Sequence, residues 1–262
     1  MTTWLHKKNL VVIGGTSGIG LSASKAFIRE GARVVVVGRD EEKLANALID
    51  LGENGAGITA DARDPHTSHK AIALCESLFG GFDGLYHVAG GSGRRWGDGP
   101  LEDLTLDSWN HTLEWNLTSL MLSNQAAVKK LLQRGKGGSI VNMSSVLGYA
   151  PSPQFFGTHG YAAAKSAVLG FSKSVAAYYA GHNIRVNVIA PGLVETPMAQ
   201  RAAQDESIQH FIHTKQPLDG GRIALAQDLD GLAVYLLSDY AKFTTGQVIS
   251  VDGGWAISEG QL

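Results

Sequence analysis

Short apolar runs alternate with longer helical patterns along the 262-residue chain, and this alternation restricts the fold more than any other feature. Such an alternation is typical of βαβ units around a parallel sheet. β-branched residues occupy consecutive positions, as at 34–37, which indicates strands buried on both faces. We therefore predict an α/β fold in which helices cover both faces of a parallel sheet of about seven strands. The candidate strands are residues 10–13, 33–37, 57–59, 84–89, 139–143, 184–190 and 247–251.

The helical patterns between these runs have recognisable ends. Asp40 can cap a helix that Gly52 can terminate, and apolar residues between them fall on one stripe. No linker, repeat or low-complexity tract interrupts the chain, so we predict a single doubly wound domain over residues 1–262. Residues 193–221 mix polar with scattered apolar side chains, and we predict a mobile substrate lid there. Longer helical patterns cover residues 107–133, 161–180 and 226–237.

Composition narrows the class of protein. Apolar residues make up 44% of the chain and charged residues 18%, as in ordinary globular proteins. The formal net charge of −2 offers no basic field for nucleic acid. Cys75 is the only cysteine, which excludes an intramolecular disulfide, and no apolar run is long enough to span a bilayer. We expect a cytoplasmic protein without a nucleic-acid or membrane partner, in which Cys75 is an inert core residue.

A glycine-rich turn, GGTSGIG at residues 14–20, joins the first strand to a helix. Glycines let the backbone turn tightly and approach a pyrophosphate, whose charge is stabilised by N–H groups at the helix N-terminus. A plain turn can show the same residues, but the strand before it and the helix after it favour a dinucleotide-binding, Rossmann-type domain. The predicted contacts are Gly14, Thr16, Ser17, Gly18, Ile19 and Gly20.

The end of the second strand indicates which dinucleotide is bound. Proteins that prefer NAD usually carry an acidic residue there, which bonds the ribose 2′-hydroxyl. This chain has Gly38 followed by Arg39, and a guanidinium can pair with a 2′-phosphate. We therefore predict NADP(H) as the preferred cofactor. In the alternatives, Arg39 is simply solvated, or Asp40 turns inward to serve NAD(H).

Tyr161 and Lys165 are four residues apart at the start of a helical pattern, so their side chains share one face. The pKa of a free phenol is about 10, and a nearby ammonium together with an oxidised nicotinamide would favour the phenolate. Tyr161 can then donate a proton to the substrate oxygen or accept one from it. Ser144 and Ser145 end the strand at 139–143, at the edge where open α/β sheets bind ligands, and a hydroxyl there can bond the substrate oxygen.

Further motifs follow these in order. They are Asp61-Ala62, Ala89-Gly90, Asn116, SSVLG at 144–148, YAAAK at 161–165, Pro191-Gly192 with Thr196, and the ending TGQ at 245–247 with DGG at 252–254. With the glycine turn they resemble the short-chain dehydrogenase/reductase family over nearly the whole chain. The resemblance implies hydride transfer between a nicotinamide dinucleotide and a small-molecule carbonyl or alcohol. It also implies a homotetramer.

The resemblance implies a role for each matching residue. Ser145 polarises the substrate carbonyl, and Tyr161 is the acid/base. Lys165 lowers the pKa of Tyr161 and holds the nicotinamide ribose, while Asn116 supports a proton-relay water. The implied cofactor contacts are Asp61 and Ala62 at the adenine, Ala89 and Gly90 at the ribose, and Val194 and Thr196 at the carboxamide, with Pro191 and Gly192 also at the cofactor.

The chain departs from the family pattern at three places. Ile13 stands where the family usually has Thr, and His87-Val88 replaces the usual Asn-Asn before Ala89-Gly90. Both changes are expected to remove polar support behind the cofactor. The segment between Ser145 and Tyr161 is also longer than usual, so we expect residues 151–159 to bulge.

Two loops are expected to cover the substrate entrance at the same sheet edge. One carries Phe155, Phe156 and His159, and the other carries Arg94, Arg95 and Trp96. We predict a partly apolar pocket with a cationic rim, suited to a ketone that carries a carboxylate, phosphate or thioester tail. In the alternative, the arginines are solvated and the aromatic rings pack against neighbouring residues.

Other function classes fit the sequence less well. A regulatory or scaffold protein that binds a dinucleotide without turnover would not need Ser145, Tyr161 and Lys165 together. A hydrolase with Ser145 as nucleophile lacks the Gly-x-Ser-x-Gly elbow. No metal site is expected, because His210 and His213 have no third ligand at a suitable spacing. We therefore predict an oxidoreductase that acts on a 3-oxoacyl compound, another ketone or a secondary alcohol.

Overall fold

The computed structural model describes residues 3–197, 199, 202 and 204–261, and its centre is a seven-stranded parallel sheet of order β3-β2-β1-β4-β5-β6-β7. Every strand pair in this sheet is parallel. The predicted doubly wound, Rossmann-like α/β fold is therefore confirmed. The strands are β1 Asn9–Ile13, β2 Arg33–Gly38, β3 Gly55–Thr59, β4 Gly84–His87, β5 Gly138–Met143, β6 Ile184–Pro191 and β7 Val248–Val251.

Strand β4 ends two residues earlier than the apolar pattern suggested. The backbone N–H groups of Val88 and Ala89 both donate to the Ile13 carbonyl, each at 2.8 Å, so the chain leaves the ladder after His87. The turn brings Ala89 and Gly90 beside the glycine-rich turn that follows β1. A hydrophobic run alone does not show where a strand stops pairing.

Helices cover both faces of the sheet. Asp40 caps α2 as predicted, because its carboxylate accepts a hydrogen bond from the Lys43 N–H. The pattern at 107–133 forms α4 and α5, which are joined by a π-helical turn, Glu114–Thr118, that contains Asn116. The described helices are α1 Gly18–Arg29, α2 Glu41–Leu51, α3 Thr67–Phe79, α4 Leu106–Leu113, α5 Ser119–Arg134, α6 Pro153–Phe156, α7 His159–Tyr179, α8 Glu206–Lys215 and α9 Asp230–Leu237.

Alternate residues of the strands enter different layers of the core. Val12 and Val36 pack in the same cluster as Phe27 of α1, whereas Val11 and Val35 pack in the cluster that includes α3 and α5. Each central strand is therefore buried on both sides, as its β-branched sequence predicts. Burial in the second cluster raises the pKa of the Cys75 thiol to about 12, which suits an inert core residue.

The segment 193–221 contains secondary structure of its own. Val194 forms an isolated β-bridge with Ala224, and α8 follows. Four residues of the predicted lid, Met198, Gln200, Arg201 and Ala203, lie outside the described residues, and the mobility of this segment stays a prediction. Within the described part of the chain, no helix is long and apolar enough to cross a membrane. The same residues hold no cluster of His, Cys, Asp or Glu that could bind a metal ion.

Candidate active site

A cavity of about 400 Å³ opens at the carboxyl ends of the strands, where Ile13, Val37, Met143 and Pro191 line it. Most of the residues singled out from the sequence meet there: Gly14, Thr16, Ser17, Gly18, Ile19, Arg39, Asp61, Ala62, Ala89, Gly90, Arg94, Ser145, Phe156, Tyr161, Lys165, Pro191, Gly192, Val194 and Thr196. The predicted residues outside this lining are Gly20, Arg95, Trp96, Asn116, Phe155 and His159.

The turn after β1 has the backbone that a close approach requires. Gly14 has φ +89°, and a Cβ at this residue would lie 2.7 Å from the Ala89 nitrogen. Helix α1 begins at Gly18, and the side chain of Ser17 does not cap it. The first N–H groups of a helix have no partner within the helix, and Gly18 and Ile19 line the cavity. The turn therefore fits a pyrophosphate group.

The end of β2 excludes a carboxylate at Gly38. A Cβ at Gly38 would overlap the side chain of Thr16, so only glycine fits without moving that side chain. Arg39 follows, and its guanidinium lies 5.1 Å from the ring centroid of Trp115. The nearby Asp61 carboxylate forms an ion pair with Arg63 at 2.7 Å. Hydrogen bonds from Arg63 lower the pKa of Asp61. The Arg39 guanidinium therefore lies near the Asp61 carboxylate, which is already paired with Arg63.

Tyr161, Lys165 and Ser145 come together where β5 and α7 meet. The Ser144 hydroxyl donates to the Lys165 carbonyl at 2.7 Å and ties α7 to the end of β5. The Lys165 Nζ donates to the Met143 carbonyl at 3.1 Å and lies 5.5 Å from the Tyr161 ring centroid. The side chain of Ser145 hydrogen-bonds the phenol. The arrangement predicted from the Tyr-x-x-x-Lys spacing is present.

Burial controls the protonation of this group. It raises the pKa of Tyr161 to about 12, and the hydrogen bond from Ser145 offsets only part of the rise. Burial also lowers the pKa of Lys165 to about 8. The net shift of the phenol pKa in the chain alone is upward, because loss of hydration outweighs the hydrogen bond from Ser145. The lowering of this pKa by Lys165 that is expected from the sequence stays a prediction.

Asn116 is fully buried behind the cavity. Its side-chain amide donates to the carbonyls of Gly91 and Thr112, both at 2.9 Å, and its Oδ1 accepts from the Gly91 N–H at 2.9 Å. The side chain therefore fixes the chain just after β4. A part for Asn116 in a proton relay stays a prediction.

His87 makes polar contacts behind the cavity, although its replacement of the usual Asn predicts that such contacts are lost. Its Nε2 lies 3.1 Å from the Ala89 carbonyl oxygen, and its Nδ1 lies 2.8 Å from the Ser123 hydroxyl. The expected loss of polar support is therefore wrong at this position, although Ile13 does bury an apolar side chain. Burial, together with the charge of Lys165, lowers the pKa of His87 to about 3.

His87→Asn is expected to make the protein less sensitive to acid. Between pH 6.5 and about 3 the unfolded chain binds a proton at His87 that the folded chain does not, so stability falls as the pH falls. Removing one such site should reduce the loss of unfolding free energy between about pH 7 and about pH 4.5 by about 2.5 kcal/mol. Urea unfolding at the two pH values measures this difference. His69→Asn, at an exposed site, is the control, and an unchanged acid slope in His87→Asn would contradict the prediction.

Asp98 is a buried residue at this site that the sequence did not single out. One carboxylate oxygen accepts from the Gly160 N–H at 2.9 Å, and the other accepts from the Tyr161 N–H at 2.7 Å. In the same loop, Arg94 donates to the Phe155 carbonyl at 2.8 Å. The loop after β4 therefore contacts both the start of α7 and the short helix α6 that precedes it. These partners are about 60 positions away, so no local motif reveals the contacts.

Asp98→Ala is expected to lower the free energy of unfolding by about 2 kcal/mol, because two buried N–H groups lose their acceptors. It should also lower kcat, since Tyr161 is no longer anchored at its own backbone nitrogen. Asp98→Asn keeps one acceptor oxygen, so its free energy of unfolding and its kcat should lie between those of the wild type and those of Asp98→Ala. Thermal unfolding and kcat measure both effects, with the exposed Asp103→Ala as the control. Equal behaviour of Asp98→Ala and Asp103→Ala would refute the anchoring role.

The remaining predicted substrate residues lie around the entrance. The guanidinium of Arg95 is 4.9 Å from the Trp96 ring centroid, and Trp96 packs against Trp115 at 4.5 Å. The predicted bulge at 151–159 contains α6, and His159 is exposed at the start of α7. Trp115 and Trp255 line the cavity without having been predicted to do so. Isolated tryptophans in a sequence carry no signal that distinguishes a cavity wall from core.

The motif order and the geometry agree with a comparison against known families. The family model described as Enoyl-(Acyl carrier protein) reductase matches residues 14–256. The chain belongs to the short-chain dehydrogenase/reductase family. It is thus an oxidoreductase of a family that uses NAD(P) and acts on alcohol or carbonyl groups of small molecules.

Relatives of this short-chain dehydrogenase/reductase extend over almost the full chain. A 2,5-dichloro-2,5-cyclohexadiene-1,4-diol dehydrogenase of Sphingobium indicum is 33% identical over 96% of the chain and 98% of its own length. An NADP-dependent (R)-specific alcohol dehydrogenase of Lentilactobacillus kefiri is 33% identical over 97% and 99%. A short-chain type dehydrogenase/reductase from Mycobacterium ulcerans has a similar structure, with a TM-score of 0.89 and 31% identity over 97% of this chain and 92% of that one.

Proposed function

We propose that this chain transfers a hydride between NADP(H) and a ketone or secondary alcohol, with Tyr161 as the proton donor or acceptor. The observation that carries the proposal is the meeting of the Tyr161 phenol, the Ser145 hydroxyl and the Lys165 ammonium in one cavity, whose other end is the glycine-rich turn. A protein that only bound a dinucleotide would not need a buried lysine beside a buried phenol, because burying a charge is costly.

The residues present fit the cofactor. The uncapped start of α1 and the close approach at Gly14 suit a pyrophosphate, and Ala89 and Gly90 leave room beside it. We assign the adenine end to Asp61 and Ala62, and the nicotinamide end to Lys165, Val194 and Thr196. Pro191 and Gly192 also line the cavity and are assigned to the cofactor. A nicotinamide cofactor held by these residues would supply the hydride for the carbonyl carbon, or would take it up in the reverse direction.

The side chains of the chain itself handle the proton. In reduction, the Ser145 hydroxyl orients the substrate oxygen and the Tyr161 O–H gives its proton to that oxygen. With its pKa raised to about 12, the phenol is protonated at neutral pH and ready to donate. In oxidation, Tyr161 accepts the proton in its phenolate form. A buried phenolate has to be stabilised by positive charge nearby. Lys165 supplies part of that charge, and its pKa of about 8 lets it pass a proton onward.

The preference for NADP(H) rests on the charges at the adenine end. Arg39 and Lys43 both line the cavity there, and Gly38 leaves no carboxylate to repel a 2′-phosphate. The contact of Arg39 with Trp115 holds the guanidinium near the end of β2. The relative from Lentilactobacillus kefiri, whose name states NADP dependence, supports the same choice.

Arg39→Ala is expected to raise the KM for NADPH about 10-fold to 100-fold and to leave the KM for NADH nearly unchanged. A hydrogen-bonded charge pair contributes about 1.5–3 kcal/mol. NADH has no 2′-phosphate, so its binding has no such pair to lose. Initial rates of nicotinamide absorbance change with one ketone and both cofactors measure the effect. Arg134→Ala, at a distant ion pair with Asp83, is the matched control. Equal losses with the two cofactors would refute the assignment of Arg39.

The homotetramer and the cytoplasmic location stay predictions.

A further inference from the structure

Two aromatic side chains, Phe156 and Trp255, line one end of the cavity. Phe211 packs against Trp255 outside the lining, and Phe155 packs against Phe211. We call these four side chains the aromatic wall. We propose that the substrate is a neutral, apolar, ring-sized ketone or secondary alcohol that packs against this wall. The inference rests on the function proposed above and adds the class of compound that the site accepts.

The aromatic wall is continuous. The ring centroids of Phe155 and Phe211 are 5.2 Å apart, those of Phe156 and Trp255 are 5.5 Å apart, and those of Phe211 and Trp255 are 6.0 Å apart. Phe156 and Trp255 line the cavity. Flat apolar rings offer large contact areas to another ring at little entropic cost. The other apolar residues that line this end are Val146, Leu147, Leu193 and Ala202.

Hydrogen bonds between distant segments hold the aromatic wall in place. The Trp255 indole N–H donates to the Ala150 carbonyl at 3.1 Å, which fixes the ring against the loop after β5. Lys215 at the end of α8 donates to the Ser258 carbonyl, and the Gln261 N–H donates to the Thr214 hydroxyl at 2.6 Å. The segment after Trp255 is thus fastened to α8. A preorganised wall of this kind favours a ligand whose shape fits it.

The charges near the aromatic wall argue against an anionic substrate. Arg94 donates to the Phe155 carbonyl at 2.8 Å, and Lys215 donates to Ser258 while lying 5.7 Å from the Trp255 ring centroid. Arg95 stacks on Trp96 and does not line the cavity. A carboxylate placed against the wall would lose its hydration, and Arg94 and Lys215 already donate hydrogen bonds to backbone carbonyls. The anionic tail expected from the sequence is therefore the less favoured class.

A matched set of ring ketones tests the inference on the wild-type chain. The set contains a methyl-substituted cyclohexanone, the cyclohexanone that carries a carboxylate at the same position, and the methyl ester of that acid. With saturating NADPH, kcat/KM for the two neutral ketones is expected to exceed that for the acid at least about 10-fold. If kcat/KM for the acid equals or exceeds that for its ester, the inference is overturned, and Arg94 is then expected to bind the carboxylate.

Phe156→Leu tests the aromatic wall itself. This half-buried side chain can change without emptying the core, whereas Trp255 is only 1% exposed. Loss of the ring should lower kcat/KM for the neutral ketones about fivefold and leave the KM for NADPH unchanged. Phe243→Leu, at a fully exposed phenylalanine, is the control and should change neither value. Equal kcat/KM in the two variants would count against the wall.

Failure of the inference can be told apart from failure of the proposed function. Turnover that depends on Tyr161 but favours the acid would overturn the substrate class alone. Absence of NADPH oxidation with every ketone, in a protein that binds NADPH by fluorescence, would overturn both.

Discussion

Tyr161→Phe is expected to lower kcat by about 100-fold to 10,000-fold, because the variant keeps the ring and loses the hydroxyl that we propose exchanges a proton with the substrate oxygen. The KM for NADPH should change little, since the phenol is proposed to act on the substrate. Stopped-flow or steady-state NADPH oxidation with a neutral ketone measures kcat. Fluorescence titration measures cofactor affinity.

Tyr178→Phe provides a matched control for this substitution. It removes the same hydroxyl from the same helix, at a side chain that is 76% exposed and far along α7 from the cavity. Its kcat should equal that of the wild type. If Tyr161→Phe also retained kcat within about threefold, the proton would have to come from another group, and the assignment of Tyr161 would be wrong.

Lys165→Met is expected to lower kcat about 100-fold while making the protein more stable. Burial lowers the pKa of Lys165 from 10.5 to about 8, so the folded state pays to keep this ammonium charged. At pH 7 Lys165 is protonated in both the folded and the unfolded chain. The shift of its pKa therefore lowers the free energy of unfolding by about 3 kcal/mol. Since Met leaves the Met143 carbonyl without its donor, the net gain in unfolding free energy should be about 2 kcal/mol.

The pH dependence separates this effect from improved packing. Above about pH 8 the folded chain releases the proton at Lys165, while the unfolded chain holds it until pH 10.5, so wild-type stability rises through this window. The advantage of Lys165→Met should therefore shrink as the pH approaches 10.5. Lys173→Met, exposed on the same helix, serves as the control. An advantage of Lys165→Met that is constant from pH 7 to pH 10 would contradict the buried-charge explanation.

The sheet could be predicted from the sequence because its signals are local. Consecutive β-branched residues mark a buried strand wherever they occur, and the cap at Asp40 needs only its own neighbours along the chain. The exit of the chain after β4 was missed because it depends on the Ile13 carbonyl, more than 70 residues earlier. The π-helical turn at Asn116 was missed for a similar reason, since α4 and α5 look like one helix in sequence.

In the candidate site, too, features that depend on neighbours along the chain could be predicted, and features that depend on distant contacts could not. Tyr161 and Lys165 share a helix, so their spacing already places them together, and the structure agrees. The net shift of the phenol pKa could not be predicted, because it depends on burial by segments that sequence does not position. The replacement of Asn by His87 predicts the loss of a polar contact, but Ser123 of α5 provides a partner that the local sequence does not reveal.

The contacts of Arg94 and Asp98 have a consequence for protein engineering. A loop exchange that imported another enzyme's residues 91–98 would release the backbone of Phe155, Gly160 and Tyr161 at the same time. Chimeras made to alter specificity should then fail in catalysis even when the transplanted loop folds well. Residues 91–98 and 153–161 behave as one cassette, and a successful transplant has to move both halves together.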